Sequence, residues 1–74
     1  MPELPHITGR KAIKVFESLG FSIVRQKGSH VVLRKGNKGC VIPIHKELAV
    51  GTLRSAIKQS GIEIEEFIDA YKNR

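Results

Sequence analysis

The stretch FSIVRQKGSHVVLRKGNKGCVIPI, residues 21–44, decides the fold. It contains three runs in which β-branched side chains recur or side chains alternate with a period of two, and both patterns are typical of strands. The predicted strands are residues 21–27, 30–35 and 40–44. Gly28-Ser29 is a two-residue connection suited to a type II′ turn, because glycine takes a positive φ without a Cβ clash. A longer loop over residues 36–39 is predicted to lead into the third strand, completing an antiparallel meander.

Strict alternation along the first strand assigns its side chains to two faces of the sheet. One face is predicted to carry Phe21, Ile23, Arg25 and Lys27, and the other Ser22, Val24 and Gln26. In the third strand, Pro43 has no amide hydrogen to donate to a ladder. We therefore predict that this strand lies at an edge of the sheet or ends near Pro43.

Helical periodicity flanks the meander on both sides. The predicted helices are residues 9–19, 51–60 and 64–71. Thr8 is placed to cap the first helix, and Gly20 and Gly61 are placed to end the first and second. The predicted fold is α+β, in the order α-β-β-β-α with a short extra C-terminal helix, with the helices on one face of the sheet and the other face open. Residues 1–74 are expected to form a single domain.

The net charge of +6 is unevenly distributed along the chain. Residues 10–58 contain eleven basic side chains and two acidic ones, a net charge of +9, whereas residues 61–74 carry −2. A basic body attracts polyphosphates, and such binding weakens with salt. Nucleic acid is therefore the leading class of partner, although basic surfaces also serve solubility alone.

Other kinds of site find little support in the sequence. No glycine run is followed by the lysine and hydroxyl of a phosphate loop. Cys40 and the three histidines lack the paired spacing of a zinc site, so neither a metal nor a cofactor is expected. A lone cysteine, no signal peptide and no long apolar run together predict a cytoplasmic protein without a membrane partner.

His30 is the candidate for chemistry because it opens a strand directly after a tight turn. An imidazole changes its protonation near neutral pH, so it can take a proton from a ribose 2′-hydroxyl, or give one to a leaving oxygen, without a metal. The expected product is a 2′,3′-cyclic phosphate. Nearby cations would stabilise charge that builds on the phosphoryl oxygens; the candidates are Arg25, Lys27, Arg34 and Lys35.

Plainer interpretations stay open at this point. A histidine after a hairpin is often only a polar residue at a strand end, and Ser29 is an ordinary turn residue as well as a candidate RNA contact. His45 would approach His30 only if the strand register brings the two together. The same charge also fits an RNA-binding module that does not cleave, or a protein-interaction domain that docks an acidic partner.

Four runs, in order and with matching gaps, resemble the HicA toxins, also called YcfA-like proteins: Gly20-Phe21, RQKGSH at 25–30, VIPIH at 41–45, and GTLRS at 51–55 with Gln59. The likeness extends from about Pro5 to Phe67. It implies a fold similar to the double-stranded-RNA-binding domain and an mRNA interferase of a type II toxin–antitoxin system. It also implies a catalytic histidine at His30 and a HicB-type antitoxin as partner. One departure is Val31, where many relatives have a second histidine or another polar residue.

Overall fold

The chain folds in the order helix, three strands, helix, helix, which confirms the predicted α+β architecture. The structure, a computed structural model, describes residues 4–73; residues 1–3 and 74 of the expected single domain lie outside the described part. The elements are α1 (Gly9–Ser18), β1 (Ser22–Lys27), β2 (His30–Lys35), β3 (Lys38–Pro43), α2 (Val50–Ser60) and α3 (Ile64–Lys72). The sheet is antiparallel with the strand order β1-β2-β3.

The first helix, α1, begins and ends within a residue of its predicted bounds. The Thr8 hydroxyl accepts a hydrogen bond from the Lys11 amide at 3.0 Å, which satisfies one of the unpaired donors of the first turn. After the helix, Gly20 has a φ of +98°, a conformation that glycine adopts without steric cost. The chain can therefore turn at once into β1.

Two-residue turns join all three strands. Gly28 has a φ of +59°, Ser29 is not in the positive-φ region, and Lys27 pairs with His30 across the turn. This is the pattern of the predicted type II′ turn. The predicted four-residue loop at 36–39 is wrong: Gly36 supplies a positive φ of +62°, so the turn closes at Asn37 and β3 starts two residues earlier than predicted.

A β-bulge at Val24 corrects the predicted alternation of β1. Ile23 pairs with Leu33, but Arg25 pairs with the next residue of β2, Val32, so Val24 is an extra residue in the ladder. Neighbouring residues of β2 point to opposite faces, and therefore Ile23 and Arg25 also do. The bulge separates the apolar start of β1 from its basic end, where strict alternation had placed them on one face.

Pro43 ends β3, and β3 is an edge strand, as predicted from the missing amide hydrogen of proline. The helices cover one face of the sheet. The fully buried large side chains include Phe16, Leu33, Ile42, Leu48, Leu53 and Phe67. The Phe16 ring lies 5.3 Å from the rings of both Phe21 and Phe67, so α1 links the start of the sheet to α3.

Capping motifs lie at the end of α2 and at the start of α3. Gly61 closes α2 with a φ of +78°. Next to it, Glu63 and Glu66 form a capping box at the start of α3, in which the Glu63 amide donates to Glu66 Oε1 at 3.1 Å. These two carboxylates therefore have a structural role. No helix within residues 4–73 is long and apolar enough to cross a membrane.

Candidate functional site

The face of the sheet that points away from the helices carries the candidate site. Val31, Leu33, Cys40 and Ile42 are buried against the helices, so their neighbours along β2 and β3 lie on the opposite face. We call this surface the open face; it consists of three rows across the strands, Lys27–His30–Pro43, Arg25–Val32–Val41 and Ser22–Arg34–Gly39. Three cations, one histidine and no acid lie on it.

His30 is the central member of the first row. It is exposed, and it lies on the middle strand of the sheet, directly after the tight turn. Lys27 is its neighbour across the strands, and directly opposed Cβ atoms in an antiparallel pair lie about 4.5–5.5 Å apart. The side chain of Gln26 supports the turn by donating to the Gly28 carbonyl at 3.2 Å. The imidazole is thus displayed from a fixed backbone beside a cation.

Arg25 and Arg34 continue the positive charge along the open face. Arg25 lies one row beyond Lys27 on β1, and Arg34 lies two rows beyond His30 on β2. All three basic residues are exposed. The half-buried Val32 lies between His30 and Arg34 on β2, and the exposed Val41 lies beside it on β3. The open face is therefore basic along β1 and at Arg34, and uncharged along β3.

Lys35 is not brought together with the other predicted basic residues. It occupies the next position along β2 after Arg34, and its side chain lies on the helix side of the sheet. Its Nζ donates to the Leu19 carbonyl at 2.8 Å and lies 6.0 Å from the centre of the Phe21 ring. A cation bound to a carbonyl at a helix C-terminus stabilises the helix end. The structure therefore gives Lys35 a contact at the end of α1, away from His30.

Ser29 connects the turn to the segment that follows β3. Its carbonyl accepts a hydrogen bond from the Ile44 amide at 2.6 Å, so the pairing of β2 with β3 continues one residue beyond Pro43. The Ser29 side chain is exposed next to His30. The turn is thus held from both sides, by Gln26 and by Ile44.

His45 lies at the same end of the sheet as His30, which answers the question that the sequence left open. Pro43 is the direct partner of His30, and His45 follows it by two residues. Residues 43–45 are held by α1, because the Gly9 amide donates to the His45 carbonyl at 2.9 Å. The side chain of His45 is exposed. The short turn at Gly36 sets the register of β3 and thereby brings the end of this strand to His30.

Cys40 takes no part in this surface. Its side chain is 4% exposed on the helix side of β3, and burial raises the pKa of the thiol to about 12 from an ordinary value of 9.0. The thiol therefore stays protonated and is a poor nucleophile or metal ligand at neutral pH. Among residues 4–73, no three histidine, cysteine or acidic side chains gather closely enough to hold a metal ion.

The fold and this surface define a class, that of small α+β proteins which display a histidine on a basic, open sheet face. A family model described as the HicA toxin of bacterial toxin-antitoxin matches residues 9–62. The chain belongs to this family, which confirms the resemblance, and its family role is that of the toxin in a toxin–antitoxin partnership. The match runs from the first residue of α1 to just beyond α2, so it includes the whole sheet, His30 and His45. No curated protein matches the chain.

Proposed function

We propose that this protein is a metal-independent endoribonuclease that cleaves mRNA on its open face, with His30 as a catalytic residue. The observation that carries the proposal is the position of His30: an exposed imidazole on the central strand, with Lys27 directly across from it and Arg25 in the next row. Membership of a toxin family supports a reaction that harms a cell. Cutting messages in the cytoplasm is such a reaction.

The reaction follows from the chemistry of an imidazole beside a phosphodiester. His30 takes the proton of a ribose 2′-hydroxyl, and the 2′-oxygen attacks the adjacent phosphorus, which leaves a 2′,3′-cyclic phosphate. Lys27 stabilises the charge on the phosphoryl oxygens, since it pairs with His30 directly across the strands. No metal is needed for this step.

The remaining open-face cations, Arg25 and Arg34, bind the RNA strand on one side of the cleaved bond, because both lie on the same side of the His30 row. Rows along β2 are about 6.7 Å apart, because each residue advances the strand by about 3.3–3.4 Å. Arg25 and Arg34 therefore contact neighbouring phosphates, and the Ser29 hydroxyl contacts the backbone at the turn. Lys35 is left out of these contacts, since its ammonium group is held by the Leu19 carbonyl.

The proposed protein partner is a HicB-type antitoxin that covers the open face. Family membership gives the chain an antitoxin of some kind. A face with three cations and no acid favours a partner that places carboxylates where RNA phosphates would lie, and charge complementarity of this kind speeds association. Such a complex would bury His30 and block RNA.

The test is cleavage of RNA in EDTA by wild-type protein, His30→Ala and His6→Ala. His6 is the matched control, an exposed histidine whose ring lies 3.7 Å from Glu47 and outside the sheet. Loss of an acid–base group costs about 10²–10⁴-fold in rate, so His30→Ala is expected to lose at least 100-fold and His6→Ala to keep the wild-type rate. A His30→Ala protein that cuts as fast as wild type contradicts the proposal.

The same experiment separates cleavage from binding alone. A non-catalytic module of the double-stranded-RNA-binding type would use the same cations to recognise phosphates and RNA shape. RNA would then shift on a native gel and stay intact with wild-type protein as well as with His30→Ala. That outcome would replace the enzyme with an RNA-binding protein.

A further inference from the structure

We propose that His45 is the second proton-transfer residue of this reaction and gives a proton to the leaving 5′-oxygen. The inference rests on the proposed ribonuclease activity and completes its chemistry. Attack by the 2′-oxygen displaces the 5′-oxygen of the next nucleotide, and the two oxygens lie roughly in line on opposite sides of the phosphorus. One imidazole cannot serve both oxygens in a single step, so His30 alone accounts for half of the proton transfers.

The strand register places His45 within reach of the same phosphodiester. His30 pairs with Pro43, and the Ile44 amide donates to the Ser29 carbonyl at 2.6 Å. His45 follows Ile44 directly, so it lies at the end of the sheet next to the Gly28-Ser29 turn that leads into His30. Both histidines are exposed at this end of the sheet, so both rings are accessible to one RNA strand.

The backbone around His45 is held firmly although it lies outside a strand. The His45 amide donates to the Pro43 carbonyl at 3.0 Å, and its carbonyl accepts from the Gly9 amide at 2.9 Å. Gly9 packs so closely that a Cβ atom there would overlap the Pro43 carbonyl oxygen and lie 3.0 Å from the His45 nitrogen. A catalytic side chain needs this kind of fixed support.

The surroundings of His45 fit the leaving half of the substrate. Its side chain lines a shallow groove together with Thr8, Arg10, Ile44 and Lys46. Arg10 and Lys46 are the charged groups of this groove, and both are exposed. They would bind the phosphate that follows the cleaved bond, whereas Arg25 and Arg34 bind phosphates on the preceding side. The RNA strand would thus cross the turn from the open face into the groove.

The proton balance of the step is complete. His30 takes the proton from the 2′-hydroxyl as the bond between the 2′-oxygen and phosphorus forms. The bond between phosphorus and the 5′-oxygen breaks, and that oxygen receives a proton from the His45 imidazolium. The products are a 2′,3′-cyclic phosphate and a free 5′-hydroxyl, and proton exchange with water returns both histidines to their starting states.

The test compares two short RNAs that differ in one atom, the bridging 5′-oxygen or a sulfur in its place. A thiolate leaves without receiving a proton, so it removes the need for the acid but not for the base. We expect His45→Ala to lose at least 100-fold on the oxygen substrate, within the range of about 10²–10⁴ for one acid–base group, and to cut the sulfur substrate at nearly the wild-type rate. His30→Ala should be slow on both substrates, and His6→Ala fast on both.

Three outcomes decide the inference. It is overturned if His45→Ala cuts the oxygen substrate at the wild-type rate, or if it loses the same factor on both substrates, as a defect in folding or binding would produce. Thermal melting of His45→Ala and of His45→Gln is measured alongside; both should match wild type because the side chain is exposed. Wild-type protein that cuts neither substrate refutes the ribonuclease proposal itself. This outcome depends on the wild-type protein alone and on no His45 variant.

Discussion

Replacing Gly9 with alanine is expected to destabilise the protein by forcing α1 away from the end of β3. The added Cβ would overlap the Pro43 carbonyl oxygen and would lie 3.0 Å from the His45 nitrogen and 3.1 Å from Ile44 Cα. All three are backbone atoms, which cannot rotate aside as the end of a flexible side chain can. The structure must therefore shift, and the hydrogen bond from the Gly9 amide to the His45 carbonyl is weakened with it.

The size of the effect can be worked out from the opposing terms. Overpacking of this kind costs about 1–3 kcal/mol, and a lost hydrogen bond adds about 1 kcal/mol. Alanine returns up to about 1 kcal/mol through its higher helix propensity. The net expectation is about 2 kcal/mol out of a total stability of about 4–11 kcal/mol for a chain of this length. At about 4–8 °C per kcal/mol, Tm should fall by about 8–16 °C.

Thermal and urea unfolding followed by circular dichroism measures this change, with Gly51→Ala as the matched control. Gly51 also lies in the first turn of a helix, but a Cβ there would have no atom within 4 Å apart from its chain neighbours and the backbone of its own helix. Its replacement should leave Tm unchanged or raise it, by up to about 1 kcal/mol of helix propensity. If Gly9→Ala proves as stable as Gly51→Ala, the close approach of α1 to residues 43–45 is not what holds this segment.

Two further predictions concern side chains on the helix side of the sheet. Because burial raises the pKa of the Cys40 thiol to about 12, the folded protein keeps a proton that the unfolded chain loses above about pH 9. Stability should be fully present below pH 9 and fall as pH rises toward 12, more steeply than in Cys40→Ala; equal slopes in urea unfolding would contradict this. Lys35→Met should lower stability by about 1 kcal/mol through its lost contact with the Leu19 carbonyl and leave RNA affinity unchanged. Arg34→Met should weaken RNA binding without lowering Tm. If Lys35→Met weakened RNA binding and Arg34→Met lowered Tm instead, the assignment of the two residues would be wrong.

Local sequence signals predicted the helices and turns well because each of them acts over a few residues. Thr8, Gly20 and Gly61 cap or end helices as their residue types predict. The turn at Gly28 formed as expected because only glycine takes the required φ at low cost. The prediction of the second turn was wrong because Gly36 and Gly39 are both plausible turn residues. Only the pairing across the sheet shows that Gly36 closes the loop.

The candidate site was predictable in part. His30, Arg25, Lys27 and Arg34 lie on one face because the turn pairs Lys27 with His30, and the period of two then places Arg25 and Arg34 on the same face. The sequence did not show the bulge at Val24, which moves Ile23 to the opposite face. A bulge depends on contacts with the neighbouring strand and leaves no period in the sequence. The hydrogen bond from Lys35 to a carbonyl sixteen residues earlier is equally non-local.

The bulge at Val24 also bears on how the protein behaves at high concentration. β1 is an edge strand, all six of its residues are exposed, and Ile23 and Val24 are 48% and 55% exposed. A regular edge with such side chains would offer its unpaired amides and carbonyls to a second copy, and growing stacks of strands would follow. An extra residue in mid-strand, followed by Arg25 and Lys27, breaks that template. The irregularity that separates Ile23 from the basic side chains thus also opposes aggregation.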